Sequence, residues 1–218
     1  MRVMARVLFI GLILCIPIVS VLGAQNIVCR APDFYTYQFT KSQVTDKYDI
    51  GMTDEELGKY FSDFMIGKKT KFENIGGYDQ EQDSFSTNEG LVMEKTRDFL
   101  NISIFILVGA LFIVVASYWI LVRDNKKEAI RIAFKFSWIF YIILWILFGM
   151  IIFIPAINRI ILPYDLLIRI ESDYLLAKLI TQKFLLDGFF VSIFISAIIM
   201  GIIGSLIWRF TRQKRMFS

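Results

Sequence analysis

The chain has 218 residues, of which 56% are hydrophobic, and a formal net charge of only +4. Soluble domains are about 45–50% apolar. The apolar residues here occur in uninterrupted blocks, which is typical of membrane spans rather than of a water-facing core. The basic residues lie beside these blocks, so the charge favours topology anchors over a nucleic-acid surface. We therefore predict membrane lipids as partners and no nucleic acid.

The composition also excludes a structural zinc site. The sequence contains no histidine and only two cysteines, Cys15 and Cys29, without CxxC spacing. A structural zinc site cannot be assembled from that set, and we predict neither a metal nor a cofactor. Cys15 lies within an apolar block and Cys29 just beyond it, so a disulfide between them is not expected. The absence of histidine also removes the side chain best suited to proton transfer near neutral pH.

Four apolar runs predict four transmembrane helices, at 7–22, 102–122, about 136–157 and 189–208. The first run is short and follows a basic start, so a cleaved signal peptide is the alternative reading of it. We favour a retained span. The fold class predicted is an all-α integral membrane protein, a single membrane domain with extracytoplasmic amphipathic or interfacial helices.

The charges of the connecting segments predict the orientation. The tail 209–218 carries four basic residues and no acidic one, and the loop 123–131 carries four basic and two acidic residues. The segment 24–100 carries nine basic and fourteen acidic residues. The positive-inside rule then places both termini in the cytoplasm and the segments 24–100 and 158–187 outside a plasma membrane.

Two helix starts can be located in the first outer segment. Thr53 with Glu56 forms a capping box, and an apolar stripe follows it until Gly67 with its lysines supplies a stop. Residues 74–84 are typical of a mobile loop. Ser86 with Glu89 forms a second capping box, and the helix that it begins should continue unbroken into the second span.

The second outer segment is neither a span nor a polar loop. Single charges interrupt its apolar residues, which predicts short interfacial helices or a re-entrant piece. Ser172 and Asp173 are candidate caps for a helix that carries Leu176. Tyr164 and Asp165 follow Pro163 at headgroup depth, where an aromatic anchor and a helix cap are the ordinary roles.

Three stretches of these segments resemble a known family. They are IGMTDEELGKYFSDFMIGKK, FSTNEGLVMEKTRDFL and INRIILPYDLLIRIESDYLLAKLITQKFLLDG. Together they resemble the bacterial four-span family of the lipoprotein intramolecular transacylase, which carries an F-x-x-x-E-x-x-H-M-x-D-V motif before its second span. The matching residues are Phe85, Glu89 and Met93 in the second stretch and Asp173, Leu176, Phe184 and Asp187 in the third.

The resemblance implies a reaction and also exposes a departure from it. The family's enzyme is understood to move an acyl chain from the glyceryl moiety on a lipoprotein's N-terminal cysteine to that residue's α-amino group, with histidines at the outer membrane face. Those histidine positions fall on Val92 and, less directly, on Asn158. The motif's aspartate falls on Lys95 and the last element's proline on Thr181.

Candidate site residues follow from what amine acylation needs, which is a base and a group that stabilises an oxyanion. Glu89 and Asp165 are candidate bases if they are partly buried. Asn158 is a candidate hydrogen-bond donor. Tyr164 is the fourth candidate catalytic residue. Candidate partners of a lipid phosphate are Arg97, Arg159 and Arg169, although snorkelling anchors explain such residues equally well.

Three hypotheses follow. The chain is a histidine-free family member that binds lipid or lipoprotein without catalysis, or it is an active acyltransferase that uses a carboxylate or a tyrosine. The third hypothesis is an accessory subunit of a membrane transport or secretion complex, since Gly201 and Gly204 give the fourth span a small-residue face. The sequence leaves the oligomeric state open.

Overall fold

The computed structural model describes residues 2–48, 50–72, 85–154 and 175–211. Every regular element within those ranges is an α-helix. In chain order they are α1 (Arg2–Arg30), α2 (Pro32–Ser42), α3 (Val44–Tyr48), α4 (Asp54–Met65), α5 (Thr87–Arg123), α6 (Lys127–Phe153), α7 (Leu175–Leu179) and α8 (Gln182–Thr211).

Four of these helices are long and apolar enough to cross a membrane, namely Met4–Arg30, Thr87–Arg123, Lys127–Phe153 and Gln182–Thr211. The predicted number of spans and the all-α fold are confirmed. The predicted ranges lie inside longer helices, except that the third helix ends at Phe153. The 37 residues of α5 form one unbroken helix, as the opening capping box and the absence of a turn residue indicated.

The described residues divide into two compact units. The first, which we call the spanning unit, comprises Met1–Ala24, Ser103–Phe148 and Ser192–Ser218. The second, which we call the aromatic unit, comprises Gln25–Ile102 and Gly149–Val191.

The spanning unit exposes much of its apolar surface. Phe105, Phe112 and Trp119 on α5 are 77%, 74% and 69% exposed. Aromatic side chains so exposed in a row fit a lipid solvent and not water. The unit is therefore a set of membrane helices whose exposed apolar faces are suited to contact with lipid acyl chains.

Contacts between α6 and α8 inside the spanning unit include hydrogen bonds at the Ser196 hydroxyl and a close approach at Gly204. Ser196 Oγ lies 2.7 Å from the hydroxyl of Tyr141 and accepts a hydrogen bond of 3.1 Å from Trp145 Nε1. Gly204 lies so close to α6 that an added Cβ would come within 2.6 Å of the Phe134 ring. Nothing lies within 4 Å of the corresponding position on Gly201. Thus one small residue of the predicted face packs within the chain.

The aromatic unit has a packed core of its own. Phe39, Phe61 and Phe64 are completely buried. The ring of Phe61 contacts those of Tyr35, Phe39, Tyr60, Phe72 and Phe85, with centroid distances from 5.2 to 6.3 Å. Aromatic pairs at such distances are stabilising beyond their burial. The apolar stripe predicted on α4 thus faces this core and not a solvent-exposed surface.

The ends of α4 follow the local sequence. Thr53 Oγ1 accepts the backbone N–H of Glu56, and the Glu56 carboxylate accepts the backbone N–H of Thr53. This is the reciprocal capping box that the sequence predicted. At the other end Gly67 has φ +84°, a conformation that only glycine adopts without strain, so the helix stops there.

Candidate functional site

The start of α5 is built around the carboxylate of Glu89. Its Oε2 accepts the backbone N–H of Ser86 at 2.6 Å, and the backbone N–H of Glu89 donates to Ser86 Oγ at 3.3 Å. The second capping box predicted from the sequence is therefore formed. The first N–H groups of a helix have no acceptor within the helix, and the capping box supplies side-chain acceptors for two N–H groups at the start of α5.

Glu89 also caps a second helix. Its Oε1 accepts the backbone N–H of Leu176 at 2.7 Å. Leu176 is the second residue of α7, whose first N–H groups likewise have no acceptor within that helix. Glu89 is only 2% exposed, so this side chain joins two helix starts inside the aromatic unit. A carboxylate with one backbone N–H on each oxygen, and with so little exposed surface, has the environment of a structural acceptor.

Four apolar residues that match the family's motifs also belong to the core of the aromatic unit. Phe85, Met93, Leu176 and Phe184 are 6%, 1%, 0% and 8% exposed. Phe184 contacts Phe34, with the ring centroids 5.3 Å apart. These four residues, which align with the family's motifs, therefore contribute to the packed core of this unit.

Val92, which stands at the first histidine position, is partly buried and packs against the same core. Its backbone carbonyl accepts the hydroxyl of Thr96 at 2.9 Å. An isopropyl group neither takes up nor releases a proton. The position therefore supplies packing where the family motif supplies an imidazole.

Arg97, a candidate for binding lipid phosphate, is engaged by the protein itself. One guanidinium nitrogen donates to the backbone carbonyls of Lys69 and Thr70, both at 3.1 Å. The guanidinium also lies 4.6 Å from the centroid of the Phe64 ring. Arg97 thus connects α5 to the segment that follows α4 through hydrogen bonds.

Asp187, the last acidic residue in register, forms an ion pair with Lys41. The carboxylate Oδ2 and Lys41 Nζ lie 2.7 Å apart. The hydrogen bond to Asp187 raises the pKa of Lys41. Because about a third of each side chain is exposed, this pair contributes little to stability. It connects α2 to the start of α8 in the aromatic unit.

Tyr35 is a buried tyrosine that did not stand out in the sequence. Its hydroxyl donates to the backbone carbonyl of Cys29 at 2.8 Å. Burial raises its pKa well above the usual 10, so the phenol stays protonated and serves as a donor. This tyrosine closes the end of α1 and is not a base.

Several candidates lie outside the described residues: Asn158, Tyr164, Asp165, Arg159, Arg169 and the capping pair Ser172 and Asp173. The roles assigned to these residues from the sequence stay predictions. The loop predicted at 74–84 lies outside them as well. Among the residues that the structure describes, no group of three histidine, cysteine, aspartate or glutamate side chains could hold a metal ion.

The sequence and the fold of this chain are similar to those of known proteins. The family model for the lipoprotein intramolecular transacylase Lit matches residues 10–159. Two structures of the membrane integral lipoprotein intramolecular transacylase Lit from Bacillus cereus resemble the chain. One, of a single-residue variant, has a TM-score of 0.74 and 14% identity over 98% of this chain and 94% of that one. The other has a TM-score of 0.65 and 15% identity over 97% of each. No curated protein matches the sequence.

Proposed function

This chain belongs to the Lit family of lipoprotein intramolecular transacylases, and we propose that it is a histidine-free member that binds lipoprotein or lipid without transferring an acyl chain. The observation that carries the proposal is the contrast between the scaffold and the reactive position. The in-register residues Phe85, Glu89 and Met93 are buried in the aromatic unit. The first histidine position holds Val92, and the whole sequence contains no histidine.

The available carboxylate does not replace the missing base. Acyl transfer to an amine requires a group that accepts the ammonium proton at the reacting atom. Glu89 is 2% exposed and accepts backbone N–H groups on both oxygens. Its position therefore supports a structural role, which is why we favour binding over turnover.

The location of the bound molecule follows from the charge pattern. The positive-inside rule places both termini in the cytoplasm and the segments 24–100 and 158–187 at the outer face of the plasma membrane. A lipoprotein is anchored in the bilayer by its acyl chains, so it would meet the chain at that face. The partners proposed are thus membrane lipids and lipoproteins.

The test of turnover is made in a strain whose lipoproteins are all diacylated. The protein is expressed there, its presence in the membrane is confirmed, and lipoprotein N-terminal peptides are analysed by mass spectrometry. An active family member expressed in parallel serves as the positive control. We expect no lyso-form lipoprotein from this chain. Appearance of that form would replace the proposal with an acyltransferase that uses a carboxylate or tyrosine.

The test of binding uses the full chain in mild detergent. A diacylated lipoprotein and the same lipoprotein with its acylated cysteine changed to serine are offered to the purified protein. We expect acyl-dependent retention of the first only. Equal retention of both, or of neither, would contradict the proposed binding. Purification as part of a stable complex would instead favour an accessory subunit.

A further inference from the structure

The end of α1 is closed without using the side chain of its last residue, Arg30. The hydroxyl of Tyr35 donates to the carbonyl of Cys29 at 2.8 Å, and the hydroxyl of Ser62 donates to the carbonyl of Arg30 at 2.6 Å. Basic residues at a helix end often serve those final carbonyls. In this chain hydroxyls from α2 and α4 bind those carbonyls, so the guanidinium of Arg30 is not needed to cap α1.

The guanidinium of Arg30 is only partly satisfied. One terminal nitrogen donates to Asn101 Oδ1 at 3.0 Å. The Nε–H is buried and has no hydrogen-bond partner among the described residues. Within those residues, the ion pairs are Lys41 with Asp187 and Lys68 with Asp63, so no carboxylate neutralises Arg30. A guanidinium carries five N–H donors in a fixed fork and remains charged at any physiological pH.

The hydrogen bond between Arg30 and Asn101 lies at an exposed position, so a ligand can reach the terminal nitrogens of the guanidinium, and their surroundings identify what kind of ligand fits. Ile27, one turn before Arg30 on α1, is 52% exposed, and Ile102, next to Asn101 on α5, is 58% exposed. Asn101 is itself exposed. Both α1 and α5 are long and apolar enough to cross a membrane. The unneutralised cation thus lies beside exposed aliphatic side chains, which is the arrangement that a lipid headgroup and its acyl chains match.

We propose that Arg30 and Asn101 form a binding site for the phosphate of an anionic phospholipid. The phosphodiester oxygens would accept hydrogen bonds from the guanidinium and the Asn101 amide, while the acyl chains would lie along Ile27 and Ile102. Arg97 does not offer such a site, because its donors are directed at Lys69 and Thr70. The inference rests on the lipid-binding part of the proposed function and names the lipid headgroup, and it would stand even if the chain turned over lipoproteins.

The test measures binding to the delipidated full-length protein in detergent. The probes are phosphatidylglycerol, diacylglycerol with the same acyl chains, and inorganic phosphate. Removing one charge-assisted contact by Arg30→Gln is expected to weaken phosphatidylglycerol binding about tenfold. Diacylglycerol binding should not change. Arg97→Gln is the matched control, and it should leave phosphatidylglycerol affinity within about twofold of the wild type.

A second variant keeps the test decisive if Arg30→Gln fails to fold. Asn101→Asp is nearly isosteric, and it places a carboxylate against the guanidinium, where it would compete with the phosphate. It should also weaken phosphatidylglycerol binding about tenfold. Unchanged affinity in either folded variant would overturn the proposal. Inorganic phosphate that competes as well as phosphatidylglycerol does would also overturn it, since the site would then bind a free anion and not a lipid.

Discussion

The spanning unit and the aromatic unit of this chain are stabilised by different interactions. The aromatic unit has an interior of interlocking rings around Phe61 and a buried carboxylate with both oxygens satisfied. The spanning unit leaves side chains such as Phe112 74% exposed. Its helices approach through Gly204 and share hydrogen bonds at Ser196. Apolar burial therefore stabilises the aromatic unit, whereas close packing and polar contacts hold the helices of the spanning unit together where the solvent is already apolar.

The largest effect is expected in the core of the aromatic unit. Phe61→Ala removes a completely buried ring that contacts five other aromatic rings. We expect a loss of about 3–5 kcal/mol in the free energy of unfolding. The measurement is thermal or denaturant unfolding in detergent. Phe112→Ala is the control in the spanning unit, and it should change stability by less than about 0.5 kcal/mol. Equal losses in the two variants would remove the distinction between the units.

The next effect concerns Glu89. Glu89→Ala leaves the backbone N–H groups of Ser86 and Leu176 without acceptors, and we expect a loss of about 2–4 kcal/mol. Glu89→Gln can accept at only one of the two sites, because its amide nitrogen is a donor, so it should be intermediate. Amide hydrogen exchange is the direct measurement. It should show lost protection at Leu176, 87 residues away in sequence from the altered side chain.

The control for Glu89 is Asp98→Asn, which alters an exposed carboxylate on the same helix. It should leave exchange at Leu176 unchanged. If Glu89→Ala retained full protection there, the double cap would not be the contact that holds α7.

A smaller effect tests the packing of the spanning unit. Gly204→Ala brings a methyl group toward the Phe134 ring at 2.6 Å, and we expect a loss of about 1 kcal/mol, since a ring edge can yield part of the way. Phe134→Leu in the same chain should restore most of that loss. Gly201→Ala meets nothing within 4 Å and should be neutral or slightly stabilising. Thermal unfolding in detergent of the wild type and the three variants gives the result, and a loss in Gly201→Ala as large as in Gly204→Ala would contradict the assigned contact.

The smallest effect is a pH dependence at the start of α4. Hydrogen bonds from the backbone and side chain of Thr53 lower the pKa of Glu56 from 4.5. A lowered folded-state pKa means that the ionised cap contributes stability above about pH 4.5, and that this is lost as the pH falls through the lower folded value. Unfolding midpoints measured from pH 6 to pH 3 should therefore drop slightly more in the wild type than in Glu56→Gln. Parallel curves for the two proteins would show that the ionisation of Glu56 contributes nothing to the cap.

The features that sequence predicted best are those encoded within a few residues. The capping boxes at Thr53 and Ser86 depend on a spacing of three, and the four spans depend on runs of apolar residues. The second partner of Glu89 could not be predicted in this way, because its contact with Leu176 joins residues that are 87 apart. The carbonyls that engage Arg97 are 27 and 28 residues away and carry no side-chain signature at all. The sequence identified both residues and missed their long-range partners.

The double cap at Glu89 also has a consequence for the order in which this chain folds. A helix of five residues such as α7 is far too short to persist alone in water. Its first amides find their acceptor only after Ser86 and Glu89 have begun α5. The contact between them closes a long loop, which is slow to form because its entropy must be overcome first. We therefore expect α7 to be among the last pieces of the aromatic unit to acquire exchange protection during refolding, and among the first to lose it.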